Sequence, residues 1–305
     1  MGGKWPSHPA DLGLAASRAG WAGLWYKGAV TAAERFRSLW RLQWFVIGSW
    51  LVVASGLHAV LTPFPRRWRR TAPYIARWAR LGARCLGVRV EVDGELPSAG
   101  SLVVANHQGY ADIVTIGGLF PCIFAARHDM RRWPVFGSLA ASGATIFINR
   151  ENRRAGYRGV GQVTAALRQG ATVIAFPEGT STDGTGILTF RTGIFQAAVE
   201  AAVPVVPAAI QYLTLDDAPL TEATRHEVGW YDNEPFLAHL LNLAAHRRIG
   251  ARVRFGLPLE PPHQDRRTLA AAAEAAVRGL YGVAAEARPT RVGRGGRGRT
   301  EGQNQ

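Results

Sequence analysis

The residues best suited to chemistry lie in one short run, Asn106-His107-Gln108-Gly109-Tyr110-Ala111-Asp112. A histidine five residues before an aspartate can be brought onto its carboxylate by a loop or a first helical turn. The carboxylate then fixes the imidazole tautomer and stabilises the imidazolium, so that the second ring nitrogen can take a proton. A second run, Phe176-Pro177-Glu178-Gly179-Thr180-Ser181-Thr182, is small, polar and glycine-containing, with amides and hydroxyls suited to an oxyanion or a phosphate. Phe147-Ile148-Asn149-Arg150 and Phe190-Arg191-Thr192-Gly193 each add one arginine able to grip phosphate with two hydrogen bonds. Taken alone, a His-x4-Asp spacing is equally at home in a structural histidine beside a helix-capping aspartate. The glycine-containing run taken alone reads as an ordinary strand-to-helix turn.

These runs must be held by a scaffold, and their flanks describe it. LVVA (102–105) immediately precedes Asn106, and ATVIAF (171–176) leads into Pro177. Both read as short buried strands, which places both polar runs at strand carboxyl ends, where α/β sheets bind ligands. VRVEV (88–92) alternates and stops at Asp93-Gly94, and residues 144–148 and 252–257 are further strands. Pro204 and Pro207 reduce 203–210 to at best an edge or irregular strand. Helices are expected over about 154–169, 193–201 and 266–281, the last with Asp265 as N-cap and Gly282 as stop. The alternation implies an α/β fold, a mixed, partly parallel sheet flanked by helices.

The ends of the chain differ from this middle. Eight of the ten tryptophans precede residue 80, and Trp44–Thr62 holds no charged residue between arginines 35, 37 and 41 and arginines 66, 67, 69 and 70. Nineteen apolar-rich residues approach the ~20 that cross a bilayer core. With arginine on both flanks, a helix that dips into one leaflet or lies along its surface is the expectation, a buried core helix the alternative. The expected divisions are residues 1–80 as N-terminal hydrophobic membrane-associating helices, 81–285 as the α/β domain, and 286–305 as a disordered Arg/Gly-rich tail. The 305 residues carry 36 Lys+Arg against 22 Asp+Glu, a formal net charge of +14, which calls for an anionic partner. Two cysteines, Cys85 and Cys122, exclude a disulfide framework.

NHQGYAD, FINR, FPEGTST and VPVVP (203–207), in this order and with FRTGIF (190–195) after the third, resemble the four sequence blocks of the glycerolipid acyltransferases, typified by 1-acylglycerol-3-phosphate acyltransferases. The resemblance covers about residues 80–215. It implies an O-acyltransferase of phospholipid and lipid biosynthesis that draws on acyl-CoA or acyl carrier protein, with no metal or prosthetic group. By resemblance His107 is the base and Asp112 its partner, while Asn106, Arg150, Glu178, Gly179, Thr180 and Arg191 shape the acceptor and oxyanion site. The implied location is the cytoplasmic face of the cell membrane, against anionic lipid. The family's third block carries arginine where this chain has Ser181. That arginine is expected to meet an acceptor phosphate, and the run EGTST looks more like the branch that acylates lyso-ornithine lipid. 1-Acylglycerol-3-phosphate, giving phosphatidic acid, is the leading expectation for the acceptor lysolipid, lyso-ornithine lipid the alternative.

Other readings are weaker. There is no GxSxG elbow, Gly159–Thr164 lacks the third glycine of a dinucleotide loop, and His226-Glu227 has no second histidine four residues after the first. A basic nucleic-acid-binding protein would fit the charge, but the arginines after residue 287 have no aromatic residue among them for base stacking, so no nucleic acid is expected.

Overall fold

The computed structural model describes residues 31–60, 67–132, 136–149, 152–231 and 234–282. The expected tail, residues 1–30 and Arg150 lie outside them. Seven strands line up in one sheet: β1 (Val88–Asp93), β8 (Ile249–Phe255), β6 (Val205–Leu215), β2 (Leu102–Ala105), β5 (Val173–Ala175), β3 (Ile123–Arg127) and β4 (Ile146–Ile148), in that spatial order. A two-residue strand, β7 (Ala218–Pro219), pairs with the end of β6. From β6 to β4 every pairing is parallel, while β8 runs antiparallel to β6 and carries β1 parallel to itself. The sheet is therefore mixed and partly parallel, as expected.

Strand parity divides the core. Leu102, Val104, Val173 and Val205 face α5 (Arg153–Arg168), α6 (Phe195–Ala201) and α8 (Arg266–Tyr281), meeting Leu167, Phe195 and Ala273 there. Val103, Ala105, Ile174, Val206 and Ile210 face the other way, toward α2 (Arg67–Leu86), α3 (Ala111–Gly117) and α7 (Phe236–Ala245). Successive side chains alternate sides, so helices cover both faces and β2, at the centre, is wholly buried. Asp265 accepts hydrogen bonds from the amides of Arg267 and Thr268, and Gly282 closes α8 in the left-handed conformation, as the capping signals required.

The reading of 203–210 as an edge or irregular strand is corrected: β6 runs eleven residues inside the sheet. Pro204 precedes it. Pro207, which has no N–H, falls before the β8 ladder begins at Ala208↔Phe255, on the side where its own carbonyl receives the Gly256 amide. Its missing N–H faces that same side, past the last paired residue of β8, and leaves the β2 ladder intact, so the proline is tolerated. β3 has no counterpart among the expected strands.

α1 (Ala32–Val60) takes in most of the uncharged run and packs on α2, α7 and α4 (Phe136–Ser142). One flank is fixed: Ser38 is buried and its hydroxyl donates to the Leu241 carbonyl, and Arg41 donates to the carbonyls of Ala244 and Arg247 at the end of α7. The opposite flank exposes Phe36, Leu39, Trp40, Trp44, Ile47 and Trp50, with Phe36, Trp40 and Trp44 in a row of ring contacts. Among the described residues no helix is long and apolar enough to cross a membrane. The expected division after residue 80 falls inside α2, which buries Trp68 and Ala72 in one core and Ile75, Ala83 and Leu86 in the other.

Candidate active site

β2 ends at Ala105, and the chain turns at once into Asn106 and His107. Asn106 is not directed at a substrate. Its amide continues the sheet, donating to the Ile210 carbonyl at 3.0 Å and accepting the Ile210 N–H at 2.8 Å. That side-chain splice holds the start of the loop rigidly against β6. Asp112, in the first turn of α3, is 0% exposed and gathers four donors. His107 Nδ1 lies 2.8 Å from Oδ2, which also accepts the amides of Gln108 (2.6 Å) and Gly109 (3.0 Å), and the Tyr212 hydroxyl donates to Oδ1 at 2.8 Å. Since Asp112 occupies Nδ1, the tautomer that donates there leaves Nε2 as the basic nitrogen. The His107 side chain is 11% exposed and its ring stacks on Phe176, with centroids 4.2 Å apart and planes 15° apart. Ring orientation is thus fixed from two directions.

The loop after β5 supports this arrangement more than it reaches outward. Glu178 is buried; its Oε1 accepts the His107 amide and its Oε2 the Leu188 amide, each at 2.8 Å. Burial pushes its carboxyl up to about 8, with the two amide donors and Arg278 pulling the other way. The Thr182 amide and hydroxyl donate to the His107 carbonyl. Gly179 adopts φ +80°, a left-handed conformation that favours glycine, and lines the cavity with His107. Thr180 is half-buried in the same loop. Ser181, in the place of the family's arginine, donates its hydroxyl to the Trp230 carbonyl at 2.6 Å, while the Trp230 amide donates to the Gln108 carbonyl at 2.8 Å. Arg191 is exposed, with Nε 3.4 Å from the Glu178 carbonyl, and does not line the cavity.

The arginine that does line it is Arg127, at the end of β3. Its guanidinium meets Asp129 through two hydrogen bonds, Nε to Oδ1 at 3.1 Å and Nη2 to Oδ2 at 2.8 Å. Ile113, Phe124, Ala126 and Met130 also line it, and the same four residues line a second, almost wholly apolar cavity. That cavity runs between α1, α2 and α7, past Phe45, Trp78, Leu86 and Leu240.

Arg127, Tyr212, Trp230 and His239 are absent from the residues singled out by sequence. Burial pushes His239 down to about 4, so the ring is neutral; it meets the Tyr110 hydroxyl at Nδ1 and the carbonyls of His226 and Gly229 at Nε2, fixing the loop that carries Trp230. Parity is the one signal that could have found Tyr212. It shares the even-numbered face of β6 with Val206 and Ile210, the face that α3 covers. Burial holds its phenol well above the ordinary range, so it remains a donor to Asp112. Tyr212→Phe is therefore expected to lower turnover about tenfold, the order of one hydrogen bond to a charged group, with little change in acceptor KM. An unchanged turnover would show that Tyr212 has no part in positioning the pair.

A mixed α/β sheet thus carries an oriented His–Asp pair at the carboxyl end of its central strand. The acyltransferase family model matches residues 87–211. A lyso-ornithine lipid O-acyltransferase from Pseudomonas aeruginosa is 33% identical over 253 residues, covering 81% of this chain and 91% of the relative. The 1-acyl-sn-glycerol-3-phosphate acyltransferase of Escherichia coli is 31% identical over 180 residues, covering 56% and 72%. The chain belongs to the acyltransferase family, and it is a lipid-biosynthetic acyltransferase. The crystal structure of the Thermotoga maritima 1-acyl-sn-glycerophosphate acyltransferase shares the fold, with a TM-score of 0.56 over 81% of this chain and 96% of that one, at 21% identity.

Proposed function

We propose that the chain moves an acyl group from a thioester, on coenzyme A or acyl carrier protein, to the hydroxyl of a lyso-ornithine lipid at the cytoplasmic face of the cell membrane. His107 Nε2 removes the acceptor's hydroxyl proton, and the oxygen attacks the thioester carbonyl. The C–O bond forms, the C–S bond breaks, and the departing sulfur takes the proton from the imidazolium that Asp112 has stabilised. On this reading the transfer calls for no metal or prosthetic group. The apolar cavity beside the site receives an acyl chain, and the exposed aromatic flank of α1 meets the bilayer, where tryptophan is favoured.

The Arg127–Asp129 pair carries the choice of acceptor. Ornithine presents one carboxylate and one ammonium, which a paired guanidinium and carboxylate complement together. A phosphate acceptor offers only negative charge and would meet Asp129 as well as Arg127. Ser181 supplies no cation in place of the family's arginine, and its hydroxyl is already engaged. The Pseudomonas relative, aligned over most of this chain, carries the lyso-ornithine name. 1-Acylglycerol-3-phosphate is the second reading, favoured by the names of other relatives and met electrostatically by Arg127 alone.

Substituting the pair tests this. Arg127→Gln is expected to raise the KM for lyso-ornithine lipid at least tenfold. Asp129→Asn, which removes the ammonium's partner and the carboxylate that neutralises Arg127, is expected to shift the kcat/KM ratio toward lysophosphatidic acid by about tenfold, the order of a charge-assisted contact near the surface. If Asp129→Asn leaves that ratio where the wild type has it, the pair does not select the headgroup.

A further inference from the structure

Away from the site just described, five arginines converge on one cavity. Arg41 of α1, Arg84 in the last turn of α2, Arg89 of β1, and Arg247 and Arg248 before β8 surround about 300 Å³, at the lower end of small-molecule sites. Among the described residues no carboxylate lines it. Arg41 is engaged with backbone carbonyls, and Arg248 faces Asp217 at 3.4 Å. Asp216 accepts from His246 and from the amides of Arg247 and Arg248, and Glu227 pairs with the other nitrogen of His246. The guanidinium groups of Arg84, Arg89 and Arg247 have no side-chain partner among the described residues. Like charges held this close repel, and what relieves the repulsion is an anion brought to them.

The position of the cavity narrows that anion. Val88 lies opposite Ile249 and Ile249 opposite Leu215, so the cavity sits at the sheet edge toward which β2 and β6 run, the edge that carries His107. Ala208 lies opposite the end of β2. From Ala208 to Leu215 is seven residues, about 23 Å at ~3.3 Å each, so the two sites are separate. Arg41 directly follows Trp40, a member of the exposed Phe36–Trp40–Trp44 row. A cationic pocket and an exposed aromatic flank carried by one helix, α1, match the two layers of a bilayer surface, phosphate above and hydrocarbon below. We infer that the five-arginine pocket binds the phosphate-bearing headgroup of an anionic membrane phospholipid, and so seats the molecule with its catalytic edge toward the bilayer. The inference rests on the membrane reading of α1 given above.

Vesicle binding by the full chain tests it, with phosphatidylcholine vesicles against the same vesicles containing phosphatidylglycerol. The variant is Arg84→Gln/Arg89→Gln/Arg247→Gln. The control, Arg154→Gln/Arg158→Gln/Arg267→Gln, removes the same charge from α5 and α8 on the other side of the sheet. An arginine near an anionic surface is worth about fivefold in partition, so the preference of the pocket variant for anionic vesicles is expected to fall about 10²-fold, with neutral-vesicle binding retained. The control is expected to keep most of its preference. A pocket variant that keeps the wild-type preference, a control that loses as much, or a pocket variant that also loses neutral-vesicle binding would each overturn the inference. Acyl transfer to lysolipid in detergent micelles, measured on the same proteins, separates the two readings. Absence of transfer by the wild type there contradicts the proposed function, while the vesicle comparison still decides the pocket.

Discussion

His107→Ala is expected to lower acyl transfer by about 10²–10⁴-fold, the range supplied by a positioned general base, while the protein folds and binds membranes as before. The fold should survive because the loop is held by groups other than the imidazole. The His107 amide reaches Glu178, its carbonyl receives Thr182, and Asn106 remains spliced to Ile210. Asp112 keeps three of its four donors. Thermal melting together with steady-state transfer checks both halves of the expectation. Near-normal turnover in a folded His107→Ala protein would remove the imidazole from the mechanism.

The second large effect is expected at Asp112. Asp112→Asn preserves volume but not hydrogen-bonding capacity: a carboxylate accepts from His107, Gln108, Gly109 and Tyr212, whereas an amide accepts only at its single oxygen. The amide either keeps its oxygen toward His107, Gln108 and Gly109 and turns its NH₂ to the Tyr212 hydroxyl, with the carboxylate's charge lost, or it sets its NH₂ against all three donors, where it faces two backbone amides and forces Nδ1 to accept, leaving the proton on Nε2 where a base is needed. A wrong tautomer of this kind lowers turnover about 10⁴-fold in Ser-His-Asp enzymes, and a loss of at least ~10³-fold is expected here. Because the site is fully buried, leaving donors unsatisfied should also cost about 1–3 kcal/mol in stability, read as a lowered melting temperature. Equal losses from His107→Ala, Asp112→Asn and the double variant would show the two residues acting as a unit. Additive losses would show that they do not.

The His–Asp pair was legible in the sequence because its geometry is local: five residues span the end of a buried strand and one helical turn. The same holds for Asp265 and Gly282, whose capping depends only on neighbours along the chain. What the sequence did not reveal depends on register. Tyr212 reaches Asp112 because β6 runs on past the end of β2, and that continuation was hidden by Pro207, read as interrupting a strand when it stands just outside the β8 ladder. Arg127 ends a strand, Ile123–Arg127, that is short and bounded by Pro121 and the polar His128-Asp129, with no alternation to mark it. Glu178 and Asn106, singled out for substrate, instead hold the loops, a role visible only once the two strand ends lie side by side. The uncharged run after Trp44 was recognised as unusual, but not that one flank of α1 docks on α7 through Ser38 and Arg41 while the other stays exposed.

The most direct measurement of the central claim is transfer of a labelled acyl group by the purified full-length wild type, offered lyso-ornithine lipid and lysophosphatidic acid in matched micelles. The expected main product is a labelled diacyl ornithine lipid, with kcat/KM at least tenfold above that for lysophosphatidic acid, and with both activities lost in His107→Ala. Robust transfer to lysophosphatidic acid with none to lyso-ornithine lipid would contradict it.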